Sequence, residues 1–266
     1  MLSVVEQKPG LLAGCRGAVL GVSGENGVGF QAAKALRAFG AEVAITCRPT
    51  RRDSVARLAT ELGCSFTELD ATDEASFERA FEDIENSLGG LDFLVHTLVH
   101  VPEGSLRKPV YELSAGEFSS VMEVGVRSLL VACKLARPLL SRSAHPRVVA
   151  LVSAGAQFVI PNYHAVGISK AALEAAVRYL GHELGPQGIL CNSLSFSIIA
   201  TDAAQRVIGQ SESAQTHGYL AKRSMTRIPM EFAHVTNTLG FLVSPLCTNL
   251  TGETLSVDGG FSRNYF

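Results

Sequence analysis

Hydrophobic and polar positions along this chain alternate between two rhythms. Compact apolar runs at Ala18–Ser23, Glu42–Cys47, Ser65–Leu69, Asp92–Val99, Arg147–Ser153, Ile189–Phe196 and Thr254–Val257 have the length and residue types of strands. Between them, Phe30–Phe39, Asp53–Leu62, Ala75–Leu88, Ala115–Leu140 and Tyr163–Leu184 carry apolar residues at helical spacing. The stretch Ala115–Leu140 reads as one long helix or two abutting ones. Strand, helix and strand in regular alternation predict a single α/β domain spanning the chain, a doubly wound parallel sheet with helices on both faces. Right-handed crossovers then place ligands outside the carboxyl ends of the strands. The segment 201–230, polar and rich in Ser and Gln, interrupts the alternation and is expected to act as a lid over the site.

Charge narrows the function classes. Lys and Arg total 23 and Asp and Glu 25, a formal net charge of −2, so a polybasic nucleic-acid or membrane-surface binder is not expected. The longest uncharged run, Val148 to Ser169, contains Gln157, Pro161, Asn162 and His164, and reads as a buried strand and a loop, not a membrane span. Met1–Gly14 includes Glu6, Lys8 and Pro9 and makes a poor signal peptide. The six cysteines are scattered with no C-x-x-C pair, and no two of the seven histidines are spaced to share a metal. Neither a zinc cluster nor a redox dithiol is expected, and single thiols suit a reducing cytoplasm.

Candidate chemistry lies at the strand ends. Gly21-Val-Ser-Gly24-Glu-Asn-Gly27-Val-Gly29 follows the first strand and opens the first helix, where glycines let the backbone approach a pyrophosphate. After the second strand, where an NAD site usually carries a carboxylate, Arg48, Arg51 and Arg52 cluster instead. Guanidinium groups suit a 2′-phosphate, so the expected cofactor is NADPH rather than NADH. Asp70, after the third strand, is a candidate partner for the adenine amino group, with an ordinary surface Asp or helix cap as the close alternative. Tyr163 and Lys170 are seven residues apart at the start of a helix and can share one face, and Ser153 ends the fifth strand. A nearby ammonium is expected to lower the phenol's pKa, letting Tyr163 donate to a substrate oxygen that gains charge.

The glycine loop, Tyr163-x6-Lys170 and the terminal Val257-Asp-Gly-Gly260-Phe-Ser resemble the short-chain dehydrogenase/reductase superfamily. Ordinary members space Tyr and Lys by three intervening residues, and the enoyl-acyl-carrier-protein reductases by six. The segment Ile160–Glu174 is similar to the active-site helix of the latter group along its length. The resemblance runs from about Gly17 to Ser262 and implies a Rossmann fold. It also implies that Gly21, Ser23, Asn26, Gly27, Val28, Arg48, Asp70, Ala71, Thr97, Lys170, Ile199 and Thr201 hold the cofactor. Ser153, Tyr163 and Lys170 would be catalytic, and the long helices would build a homotetramer. Some enoyl reductases carry a second Tyr where Ser153 stands, and the serine marks an NADPH-using branch closer to ketoreductases.

The chain also departs from the superfamily. His96-Thr97-Leu98-Val99-His100 replaces an Asn-Asn-Ala-Gly-like segment, Gly125 stands near a proton-relay asparagine, and Ser197-Ile198-Ile199 replaces a Pro-Gly pair. The expected activity is reduction of the carbon–carbon double bond of an α,β-unsaturated acyl thioester, carrier-bound, with a specialised fatty-acid or polyketide pathway as its expected setting. A carbonyl reductase or alcohol dehydrogenase, or a member altered in catalysis, remains open. His164 reads as a loop residue facing solvent, Phe158 as core, and Arg137, Arg142 and Arg147 as a solvated face.

Overall fold

The first apolar run forms β1, Arg16–Leu20, and it pairs with β2, Glu42–Cys47, on one side and β4, Phe93–His96, on the other. The computed structural model describes residues 10–102, 104, 105, 108–199, 201, 204, 205, 207 and 210–264. With β3 (Ser65–Glu68), β5 (Arg147–Leu151), β6 (Leu190–Phe196) and β7 (Thr254–Val257), the strands make one sheet in the order β3-β2-β1-β4-β5-β6-β7. Each pairing is parallel. The strand order reverses between β1 and β4, which opens a crevice at their carboxyl ends.

The helices are α1 (Val28–Ala38), α2 (Arg52–Leu62), α3 (Glu74–Leu88), α4 (Ala115–Met122), α5 (Ser128–Leu140), α6 (His164–Leu184), α7 (Gln210–Arg223) and α8 (Phe232–Val243). Side chains alternate between the two sheet faces. Ala18, Leu20, Leu94, Val148 and Ala150 join α3, α5 and α6 in one core. Val19, Val43, Ile45, Phe93, Val95, Val149 and Leu151 join α1, α2 and α8 in the other. Both faces are therefore covered, which is why the strands read as unbroken apolar runs.

Two features differ from the periodicity, and one open alternative is decided. Strand pairing of β1 stops at Leu20 and of β4 at His96, and the apolar Val22 and Leu98 that follow are buried in the two cores. The stretch Ala115–Leu140 is two helices joined by a π-helical turn at Glu123–Arg127. The sequence pattern passed over α8, because its residues are apolar around much of the helix; Val235, Leu239, Leu242 and Val243 are buried. Within 201–230, Gln210–Arg223 is helical. Among the described residues no helix is long and apolar enough to cross a membrane.

Candidate active site

The crevice between β1 and β4 is floored by backbone. Thr97 sits just beyond β4, and its hydroxyl donates to the Leu20 carbonyl at 2.7 Å. Gly29 lies so close that a Cβ there would come within 2.8 Å of Thr97 Oγ1. Gly27 caps α1 without a side-chain hydrogen bond, and the first turn of α1 holds no acidic residue. The opening N–H groups of α1 therefore have no side-chain cap at the positive end of its dipole. Ser23 and Asn26 are exposed on this loop, and Gly21, Gly27 and Val28 are half-buried along it. This arrangement fits a pyrophosphate.

The adenosine side is reached from β2 and β3. Arg48, Arg51 and Arg52 are all exposed, but Arg52 is ion-paired with Glu68 at the end of β3. The Asp70 carboxylate accepts from the Thr72 N–H at 2.9 Å and the Thr72 hydroxyl at 2.7 Å, and those bonds hold its pKa below the usual value. Ala71 is buried beside it. At the other end of the crevice Ile199 and Thr201 are buried, with the Thr201 N–H donating to the Ile199 carbonyl at 2.7 Å and Thr201 Oγ1 accepting from the Ala204 N–H at 3.0 Å.

Ser153, Tyr163 and Lys170 come together at the carboxyl edge of β5. Ser153 lies two residues beyond β5 and Tyr163 caps α6, with their hydroxyl oxygens 3.0 Å apart. The turn between them, Ala154–Ala156, brings Gly155 under the phenol; a Cβ there would lie 2.5 Å from the Tyr163 ring. Two turns along α6, Lys170 is buried and its ammonium donates to the Leu151 carbonyl at 3.0 Å and the Leu98 carbonyl at 3.5 Å. Burial lowers its pKa to about 8. The phenol departs from expectation. Burial raises the pKa of Tyr163 and only the Ser153 bond opposes it, because the ammonium is turned to backbone carbonyls.

Several other side chains occupy places that sequence reasoning did not assign. His96 is fully buried on the sheet face that meets α5 and α6, with Nε2 2.7 Å from Ser128 Oγ, and burial lowers its pKa to about 3. Gly125 lies in the π-helical turn, where a Cβ would approach Ser169 Oγ to 3.1 Å, so the asparagine of ordinary members does not fit without displacement. His164 is in the first turn of α6 and hydrogen-bonds the Lys108 carbonyl at 2.9 Å, rather than facing solvent. Phe158 is 42% exposed, not core. Arg147 is buried, its guanidinium donating to the Cys247 carbonyl at 2.6 Å, and it is no part of a solvated face. The pattern signal for these was absent, because each depends on a partner distant in sequence.

The model of the Enoyl-(Acyl carrier protein) reductase family matches residues 21–262. The NADH-named enoyl-acyl-carrier-protein reductase FabI of Neisseria meningitidis serogroup B is 33% identical over 258 residues, 96% of this chain and 97% of the relative. Its namesake from Enterococcus faecalis is 33% identical over 243 residues, 91% of this chain and 95% of the relative. The crystal structure of the Anaplasma phagocytophilum enoyl-acyl-carrier-protein reductase in complex with NAD superposes with a TM-score of 0.90 at 30% identity, covering 98% of each chain. The chain belongs to this family. The comparison also corrects the NADPH expectation, since the curated relatives are named as NADH enzymes. In the structure Arg52 is ion-paired with Glu68, so one of the three arginines is already engaged within the protein.

Proposed function

We propose that this member of the enoyl-acyl-carrier-protein reductase family reduces the carbon–carbon double bond of an acyl-carrier-protein-bound α,β-unsaturated thioester, with NADH as reductant. The observation that carries the reading is the Ser153–Tyr163 hydroxyl pair beside buried Lys170 at the mouth of a crevice that fits a dinucleotide. Gly21, Ser23, Asn26, Gly27 and Val28 hold the pyrophosphate side, Asp70 and Ala71 the adenine side, and Thr97, Ile199 and Thr201 the nicotinamide side. Bound there, the reduced dinucleotide supplies the hydride. Tyr163 directs its hydroxyl at the thioester oxygen, which gains negative charge as hydride adds at Cβ; a donor preorganised for that charge lowers the barrier, and a proton taken up from water at Cα completes the reduction. Ser153 orients the phenol. Lys170 carries its ammonium on two carbonyls and keeps a third N–H for the ribose hydroxyls. Because burial raises the phenol's pKa, Tyr163 acts from its protonated form at neutral pH, as a donor needs.

Two further parts of the reading concern context. We assign α7, Gln210–Arg223, as the cover over the acyl side of the crevice. The chain forms a homotetramer in the cytoplasm: Phe118, Leu130, Ile168 and Tyr179 are exposed apolar residues on α4, α5 and α6, and the six described cysteines are unpaired. The test is oxidation of NADH with a crotonyl thioester, run beside NADPH and beside a β-ketoacyl thioester. Turnover of the crotonyl substrate with NADH is the expected result, and turnover of the keto substrate alone would refute the reading. The keto arm has a specific motive, because Ser153 and Tyr163 together can present two donors to one ketone oxygen. Light scattering checks the tetramer.

A further inference from the structure

His164 follows Tyr163 and is the first residue of α6. Both of its ring nitrogens are engaged, and each partner permits one role only. The Ala165 backbone N–H, 2.8 Å from Nδ1, can only donate, and the Lys108 carbonyl, 2.9 Å from Nε2, can only accept. With these partners Nδ1 accepts and Nε2 donates. Lys108 is fixed in turn. Its ammonium lies 2.7 Å from Glu117 Oε1, and Glu117 accepts from the Ser114 N–H at 2.9 Å and the Ser114 hydroxyl at 2.7 Å, closing the capping box of α4. An unbroken line of polar contacts thus runs from the start of α6 to the first turn of α4. Further back, the ammonium of Lys170 reaches the Leu98 carbonyl. The chain leaving β4 is tied to α6 twice, by Lys170 at Leu98 and by His164 at Lys108.

We propose that His164 is a positioning residue, which pins the segment Lys108–Ser114 against the start of α6 and so sets the wall beside the Tyr163 hydroxyl where the acyl thioester lies. The proposal rests on the reductase reading above. It deepens that reading by assigning acyl-substrate fit to a residue whose ring never touches the reacting atoms. The tether lies on the Tyr163 side of the crevice, away from the loop that opens α1, so its loss should act on the acyl substrate and leave the dinucleotide largely unaffected. A ring that merely fills space would not depend on which nitrogen carries the hydrogen.

The test begins with ring 15N spectra of the full-length, unaltered protein at neutral pH. A bare Nδ1 and a protonated Nε2 on His164 are expected, and the opposite tautomer overturns the proposal. Amide hydrogen exchange then compares the unaltered chain with His164→Phe. Loss of the line of contacts should speed exchange at Ser114 and Glu117 by about ten-fold, the worth of one hydrogen bond of roughly 1.4 kcal/mol. Faster exchange at Ala165 alone overturns the proposal. In kinetics, His164→Phe should raise KM for the crotonyl thioester by about five-fold while kcat and KM for NADH stay within about two-fold. His164→Gln, whose amide N–H can reach the Lys108 carbonyl, should recover most of that loss. An unchanged crotonyl KM, or an equal rise in both variants, overturns it. If His164→Phe fails to fold, His164→Ala supplies the same comparison against His164→Gln. Failure of the reductase reading itself appears separately, as no NADH oxidation by the unaltered protein, and the spectra and exchange rates still decide the tether.

Discussion

The phenol oxygen of Tyr163 stands 3.0 Å from the hydroxyl of Ser153, although one residue caps a helix and the other trails a strand. The pair makes Tyr163 the donor with the most constrained aim in the crevice. Tyr163→Phe keeps the ring and removes the hydroxyl. Turnover should fall by at least about 100-fold, as on loss of a single oxyanion donor, with KM for NADH within a few-fold. Steady-state kinetics with a crotonyl thioester check this, and near-normal turnover would refute the assigned role.

Ser153→Ala separates the two substrate classes. If the carbon–carbon double bond is reduced, Ser153 only orients the phenol, and the loss should be about ten-fold or less, the worth of one neutral hydrogen bond. A loss comparable with that of Tyr163→Phe would mean that both hydroxyls serve one ketone oxygen. The ratio of the two variants' kcat values on the crotonyl thioester gives the answer.

Gly155→Ala should disturb the site without touching its chemistry. The added methyl would meet the Tyr163 ring at 2.5 Å, and a ring in a packed turn has no room to yield. We expect kcat to drop by about ten-fold or more and the melting temperature to fall by several degrees, roughly the effect of 1–3 kcal/mol of overpacking. Unchanged kcat would show that the turn Ala154–Ala156 moves freely.

The buried ammonium of Lys170 sets an alkaline limit. Its pKa is lowered to about 8 by burial, so above that pH the free enzyme loses the charge assigned under the proposed function to the ribose hydroxyls. kcat/KM for NADH should therefore decline as pH rises through about 8, with Lys170→Arg losing this limb because a guanidinium stays charged. For stability the sign is opposite: between about 8 and the ordinary lysine value of 10.5 the unfolded chain binds a proton that the folded chain does not, so this group makes stability rise with pH there. A rate profile flat to pH 10 would contradict the assignment (about two units above the limb).

Acid should act through His96. Burial beside Lys170 lowers its pKa from 6.5 to about 3, so as pH falls through 6.5 the unfolded chain gains a proton that the folded chain refuses. Its contribution to stability is lost over that window, with a slope near 1.4 kcal/mol per pH unit. Denaturant unfolding between pH 7 and 4 (roughly the span of the shift) measures it, and His96→Phe should flatten the slope. An equal slope in that variant would assign acid sensitivity to other groups.

Much of this protein was legible in the residues alone. The alternation of apolar runs with helical spacing determined the parallel sheet and the order of its elements, because the period of a side-chain pattern is a local property of the backbone. The glycine loop at the end of β1 and the seven-residue step from Tyr163 to Lys170 were likewise local, and they marked the edge of the sheet that carries the site. Only the tertiary structure decided what each charged or polar group meets. Arg52 reads as part of a phosphate fork until Glu68, on the neighbouring strand, takes its charge. Lys170 reads as a neighbour of Tyr163 until burial turns it to the carbonyls of Leu98 and Leu151. His96 and His164 carry no pattern at all, since their partners, Ser128 and Lys108, lie 32 and 56 residues away. Periodicity is written into neighbouring residues, whereas hydrogen-bond and ion-pair partners are chosen by the packing of elements that the chain brings together only when it folds.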